Sequence, residues 1–235
     1  MMTLEPMSHA NTMNWREAVQ EGVYPVAFAA KLAETTNARV ASWFKASNGS
    51  RLPPAILTPF QNVDRQMTMP FLALVESRFV AHFRKHGLSL QTIRKVAEKL
   101  REKHKIANPF ATETRFRTDG KRIMQEEAAD DGERRLLDIM TDELAFPSVL
   151  EPSLFKSFVY ADDVATRMTF DGFPQIIVDP KYALGRPVVT NGHIPTATLA
   201  KAFLAEGDLD GVAAWFETDR NAVLQAVAFE QRLAA

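Results

Sequence analysis

The chain contains no cysteine. Disulfide staples and thiolate metal sites are therefore excluded, and a reducing cytoplasm is the expected setting. Nor does any stretch approach the ~20 consecutive apolar residues that a membrane helix needs, so no membrane partner is expected. The opening MMTLEPMSHANTMNW has no basic segment followed by an apolar one, which argues against a secretory signal. Residues 1–22 are expected to form a flexible arm. Motifs for common chemistries are missing too: no Walker A loop, no dinucleotide fingerprint and no nucleophile elbow. His82 and His86 have the i, i+4 spacing of metal ligands on a helix but no evident third ligand, so no metal and no cofactor are expected. The carboxylate pairs Asp130-Asp131 and Asp162-Asp163 sit in acidic turns with no lysine or histidine beside them to activate water. The expectation is that the chain is not an enzyme.

What the chain does have is an ordinary globular composition and a divided charge. Its 235 residues are 46% hydrophobic and 24% charged, enough for a sizeable core. The net charge of −1 hides a split. Gln20 to Gln125 carries 18 Lys+Arg against 8 Asp+Glu, a balance of +10. Glu126 to Ala235 carries 9 against 19, a balance of −10. Nucleic acid is the first candidate partner for the basic half, the alternative being that the two halves attract each other.

In VYPVAFAAKLAETTNARVASWFKAS, Val26, Ala29, Ala30, Leu32 and Ala33 recur at helical spacing. Thr36 or Asn37 can cap a second helix whose apolar face holds Val40, Trp43 and Phe44. Two short helices joined by a tight turn outline a helix-turn-helix. The second helix would expose Asn37, Arg39, Ser42 and Lys45, and in such motifs the second helix enters the major groove. A loop or small wing follows, marked by Asn48-Gly49 and Pro53-Pro54 and carrying Arg51.

MPFLALVESRFVAHFRKHG predicts an amphipathic helix on Leu72, Val75, Phe79 and Phe83, ended by Gly87. Ser89 is placed to cap the next, whose stripe is Leu90, Ile93, Val96, Ala97 and Leu100. Arg94, Lys95, Lys99, Arg101, Lys103 and Lys105 lie off that stripe. Arg51, Arg94 and Lys95 are taken as phosphate contacts beside the four residues of the second helix. Thr112 to Gln125 reads as a hairpin around Asp119-Gly120. Residues 128–153 read as an acidic linker. Short strands with turns at Ala161-Asp162-Asp163 and Asp171-Gly172 come next, then three short helices in an acidic helix-turn-helix-like outline. The expected fold is mainly α with minor β. It comprises a winged helix-turn-helix over residues 23–127, a short β segment, and a three-helix unit within residues 154–235.

FLALVESRFVAHFRKHGLSLQTIRKV resembles the paired helices behind the wing of MerR-like winged-helix domains, and VYPVAFAAKLAETTNARVASWF resembles the helix-turn-helix before them. The tail, from Ile176 to Glu230, is similar to a small domain found in VapB-type antitoxins. Asp179-Pro180, Gly185-Arg186-Pro187-Val188, His193-Ile194-Pro195-Thr196, Gly207 and Val212-Ala213 carry that likeness. His193 stands where that family commonly has arginine. The resemblance implies an antitoxin of a type II toxin–antitoxin pair. Such a protein neutralises a PIN-domain ribonuclease toxin and represses its own operon by binding operator DNA. A homodimer is expected, because helix-turn-helix repressors bind palindromes with two-fold symmetry. Glu217, Asp219 and Arg220 of the acidic tail are then candidates for contact with the toxin. The rival reading is a stand-alone transcription regulator whose C-terminal part senses a ligand or dimerises.

Overall fold

A computed structural model of the chain describes residues 14–20, 23–46, 52–63, 65–113 and 152–235, with positions 116, 123, 126 and 127. The architecture is mainly α with minor β. The arm before Asn14, the Asn48-Gly49 turn, Arg51, Asp130-Asp131 and the acidic linker before Pro152 lie outside the described residues.

A short helix α1 (Trp15–Ala18) precedes strand β1 (Tyr24–Pro25) and helices α2 (Val26–Leu32) and α3 (Asn37–Trp43). Ala29, Ala30 and Leu32 of α2 are buried, as are Val40 and Trp43 of α3. Thr36, not Asn37, is the N-cap of α3: its backbone is extended and its hydroxyl accepts from the Arg39 amide. Strands β2 (Gln61–Val63) and β3 (Gln66–Met69) form a hairpin, turned at Arg65 with φ 63°. Strand β1 joins it, giving the antiparallel order β1-β3-β2. The sheet thus ties the entry of α2 to the β2–β3 hairpin.

Helix α4 (Phe71–Lys85) is central, and its first half is buried on every side from Phe71 to Ser77. A helix buried all round is a core element rather than a surface one. Gly87 follows it at φ 91°, and Ser89 caps α5 (Leu90–His104) by accepting from the Thr92 amide at 3.0 Å. The Asp119-Gly120 turn of the expected hairpin lies outside the described residues, and the described positions after Thr112 are not in strands. Glu113, Phe116, Ile123, Glu126 and Glu127 have helical backbone at the described positions. Phe116, Ile123 and Glu127 are buried.

After α6 (Pro152–Lys156), strands β4 (Phe158–Ala161), β5 (Val164–Phe170), β6 (Phe173–Val178) and β7 (Val188–Val189) make an antiparallel sheet in sequence order. Asp162 and Asp163 sit at φ 49° and 68° in the β4–β5 turn, as a tight hairpin demands. Helices α7 (Thr196–Glu206), α8 (Leu209–Trp215) and α9 (Arg220–Ala234) close the chain. Gly207 ends α7 in the left-handed region at φ 69°, and Asp208 and Asp219 cap the two helices that follow. Phe79 of α4 stacks on Phe158 at 5.4 Å and meets Phe155 edge-on at 5.3 Å, so one hydrophobic core spans both halves. A second aromatic group, Phe170 and Phe173 around Phe229, fixes α9 to the sheet. Among the described residues no helix is long and apolar enough to cross a membrane.

Candidate nucleic-acid interface

Asn37, Arg39, Ser42 and Lys45 are all exposed, because Val40 and Trp43 commit the opposite side of α3 to the core. The Ser42 hydroxyl donates to the Arg39 carbonyl at 2.6 Å. The face therefore offers an amide, a guanidinium, a hydroxyl and an ammonium, the groups that read base edges and phosphates.

The expected phosphate contacts on α5, Arg94 and Lys95, both have partners within the protein. Arg94 is only 7% exposed and donates to the Lys45 carbonyl at 2.8 Å, so it closes the C-terminal end of α3. Lys95 and Lys99 both pair with the buried Glu127. Arg101 is buried as well; it donates to the carbonyls of Pro54, Ala55 and Ala107 at 3.3, 2.5 and 3.2 Å. That anchors the Pro53-Pro54 loop to α5. Glu76 lies fully buried nearby, held by Asn108 at 2.9 Å. Burial pushes its carboxyl up to about 7, against the opposing pull of Arg101 and the Asn108 hydrogen bond. The side chains of α5 that looked most available thus serve the inside of the protein.

Other cations take their place. A cleft of about 740 Å³ opens between the α2–α3 turn, the end of α4, and the β5–β6 turn with α9. Arg39, Arg78, Arg84, Lys85 and Arg232 line it, against two carboxylates, Glu34 and Asp171. Glu34 is engaged by Arg78 at 2.8 Å and Arg232 at 3.6 Å. Burial would push its carboxyl up, but these cations and Lys85 together hold it below its ordinary value. Arg232 is further fixed over the rings of Phe170, Phe173 and Phe229, at 5.1 to 5.6 Å. Arg84 donates one guanidinium nitrogen to the Leu88 carbonyl. Arg84 and Lys85 are exposed in the last turn of α4. They are the residues that sequence reasoning missed. The signal was the FRKHG cluster, but only the tertiary approach of α4 to α3 shows that it adjoins Arg39. The His82 and His86 rings lie tilted at 40° with centroids 4.2 Å apart, and a His86 ring nitrogen lies 2.9 Å from the His82 carbonyl.

In the acidic tail, Glu217 is exposed at φ 50° between α8 and α9. Asp219 caps α9 and accepts from the Gln175 side chain at 3.0 Å. Arg220 pairs with Asp210 at 2.6 Å. These three residues are neighbours on one turn, two of them already engaged.

No protein-family model matches the chain, and no curated protein sequence matches it. Among solved structures, the crystal structure of Rv2018 from Mycobacterium tuberculosis is similar, with a TM-score of 0.68 at 20% identity. The match covers 88% of this chain and 98% of that one. At that identity the likeness shows a shared fold alone.

Proposed function

We propose that the chain is a DNA-binding antitoxin that represses its own operon as a homodimer in the cytoplasm and neutralises a PIN-domain ribonuclease toxin. The observation that carries the DNA part is the exposed polar face of α3, with Arg39 opening onto the cationic cleft of Arg84 and Lys85. A recognition helix needs base-reading groups along its axis and phosphate-binding cations beside it, and this surface has both. The toxin part rests on the resemblance of the tail to VapB-type antitoxins, supported by its acidic charge balance of −10. In this reading Glu217 and its surroundings face the toxin.

The experiment has two arms. The protein is titrated with the DNA upstream of its own gene, and the product of the adjacent gene is expressed alone and together with it. Growth arrest by the neighbour, relieved by this chain through a co-purifying complex, is the expected result. A harmless neighbour that does not co-purify removes the antitoxin reading. DNA binding that persists without residues 1–125 removes the assignment of α3. The stand-alone regulator is kept as a second reading because a large cavity lies between α2 and the C-terminal unit.

A further inference from the structure

Helices α7 and α8 leave a groove of about 250 Å³ on the acidic tail. The buried Val212 and the half-buried Ala202 and Phe216 form its floor. Trp215 and Gly211 edge it, and the exposed Glu206 and Asp208 stand at its rim. That volume falls below the ~300–1,000 Å³ of small-molecule sites and suits one large side chain. The groove is thus sized for an anchor on another chain rather than for a metabolite.

Trp215 is the last residue of α8 and is 77% exposed. Val212 and Ala213 commit the opposite side of that short helix to the core, so the indole is left outside. It lies nearly parallel to the Phe216 ring, with 22° between the planes and centroids 6.4 Å apart. Phe216 in turn packs against the core. The indole therefore stands on an ordered aromatic base. A tryptophan covers about 150–250 Å² when buried, and it is among the residues most enriched where interface energy concentrates.

The rim decides the sign of the partner. Residues 206–220 hold five carboxylates, Glu206, Asp208, Asp210, Glu217 and Asp219, against one cation, Arg220. Arg220 is already paired with Asp210 at 2.6 Å. An apolar groove set in such a surface repels nucleic acid and acidic proteins, and it draws in a segment that carries cations.

We propose that this groove docks a basic amphipathic segment of a partner protein. One large apolar side chain seats on Ala202, Val212 and Phe216 beside the Trp215 indole. Lysines or arginines flanking that anchor face Glu206 and Asp208, while Glu217 and Asp219 add attraction at longer range. The identity of the partner as the product of the adjacent gene rests on the antitoxin reading above; the chemistry of the groove does not.

The test uses the full chain and two variants at exposed positions, Trp215→Ala and Glu206→Lys, whose circular dichroism should match the parent. The first arm titrates the product of the adjacent gene. Trp215→Ala should weaken that complex at least about thirtyfold, the loss of a central aromatic anchor. Glu206→Lys should weaken it about threefold to tenfold, less so at high salt. If the neighbour binds and either variant leaves its affinity unchanged, the antitoxin reading stands and the groove is not the docking site. If the neighbour does not bind the parent chain, the antitoxin reading fails, and a second arm decides the groove. Its probe is a labelled amphipathic helix of leucine and lysine, about 15 residues long, with a twin in which glutamate replaces lysine. The lysine peptide should saturate below ~1 mM, with the twin and Trp215→Ala each weaker by about tenfold or more. No saturation by ~1 mM, or equal binding of the twin, overturns the proposal. Sedimentation of the chain alone addresses the other occupant. A dimer that Trp215→Ala converts to monomer would place a second copy in the groove and overturn the proposal as well.

Discussion

Two groups of cations in the N-terminal half began as equals in the sequence and end with opposite fates. On α5, Arg94 and Arg101 turn inward onto backbone carbonyls, while Lys95 and Lys99 share Glu127. At the junction of α3 and α4, Arg39, Lys45, Arg84 and Lys85 remain exposed. The difference lies in what each helix adjoins. α5 borders two irregular segments, the end of α3 and the Pro53-Pro54 loop, whose carbonyls have no ladder to join. Arginine is suited to serve them, with five donors on a stem long enough to reach. The end of α4 borders a helix N-terminus and solvent; Arg84 gives one nitrogen to the Leu88 carbonyl, yet it and Lys85 stay exposed. A count of basic residues therefore overstates the charge available to an anionic partner.

The sharpest way to test the inward group is to remove Arg101. Three carbonyls lose a donor, and the buried Glu76 loses its compensating cation. Breaking such a buried charge arrangement costs about 3–5 kcal/mol, so Arg101→Ala should lower the unfolding free energy in urea by that amount. An effect below about 1 kcal/mol would mean that α5 spends its arginines on solvent after all.

Glu76 gives the next effect, and its sign follows from linkage. Its folded pKa, about 7, stands above the ordinary carboxyl value. The native state thus binds more protons than the unfolded state between about pH 4.5 and 7, and stability falls as pH rises through that window. Across it the loss is about 3 kcal/mol, and Glu76→Gln should abolish the fall. Glu34 acts in the opposite sense at lower pH: its depressed pKa gives stability that is present at neutrality and lost on acidification. Urea titrations between pH 5 and 8 separate the two. A variant that keeps the wild-type slope there would exonerate Glu76.

The sequence made the helices and their punctuation readable, because capping and periodicity are local. Thr36, Ser89, Gly87 and Gly207 act where their chemistry places them. The exposed face of α3 was readable for the same reason, since Val40 and Trp43 define its opposite side. What escaped was long-range. Nothing near Arg94 in sequence announces the Lys45 carbonyl, and nothing near Lys85 announces Arg39. Phe116 and Ile123 were read as strand residues, yet both have helical backbone and are buried, which no local pattern announced. Tyr24 and Gly185 meet across most of the chain, so the cavity they border had no sequence signal at all.

On the exposed group, Arg39→Ala should cost about 1–3 kcal/mol in binding to the upstream DNA and relax the sequence preference, as for one lost base contact. Comparison with a scrambled duplex decides it. If both duplexes weaken equally, Arg39 contacts phosphate, and the reading of α3 as the base-reading element fails.

The smallest effect separates the two groups most directly. Lys85 is exposed at the mouth of the basic cleft, whereas Lys95 faces Glu127 at 3.7 Å. A lysine that neutralises a phosphate releases a condensed counterion, so its removal flattens the plot of log affinity against log salt by about 0.9. Lys85→Ala should do this for any DNA sequence while leaving the preference among sequences intact. Lys95→Ala should leave the slope unchanged, because its ammonium is turned to the buried Glu127 rather than to a phosphate. Should Lys95→Ala flatten the slope as much as Lys85→Ala, the pairing with Glu127 yields to DNA, and α5 rejoins the binding surface. Titrations at four or more salt concentrations, with both variants and the parent on one duplex, are enough to tell.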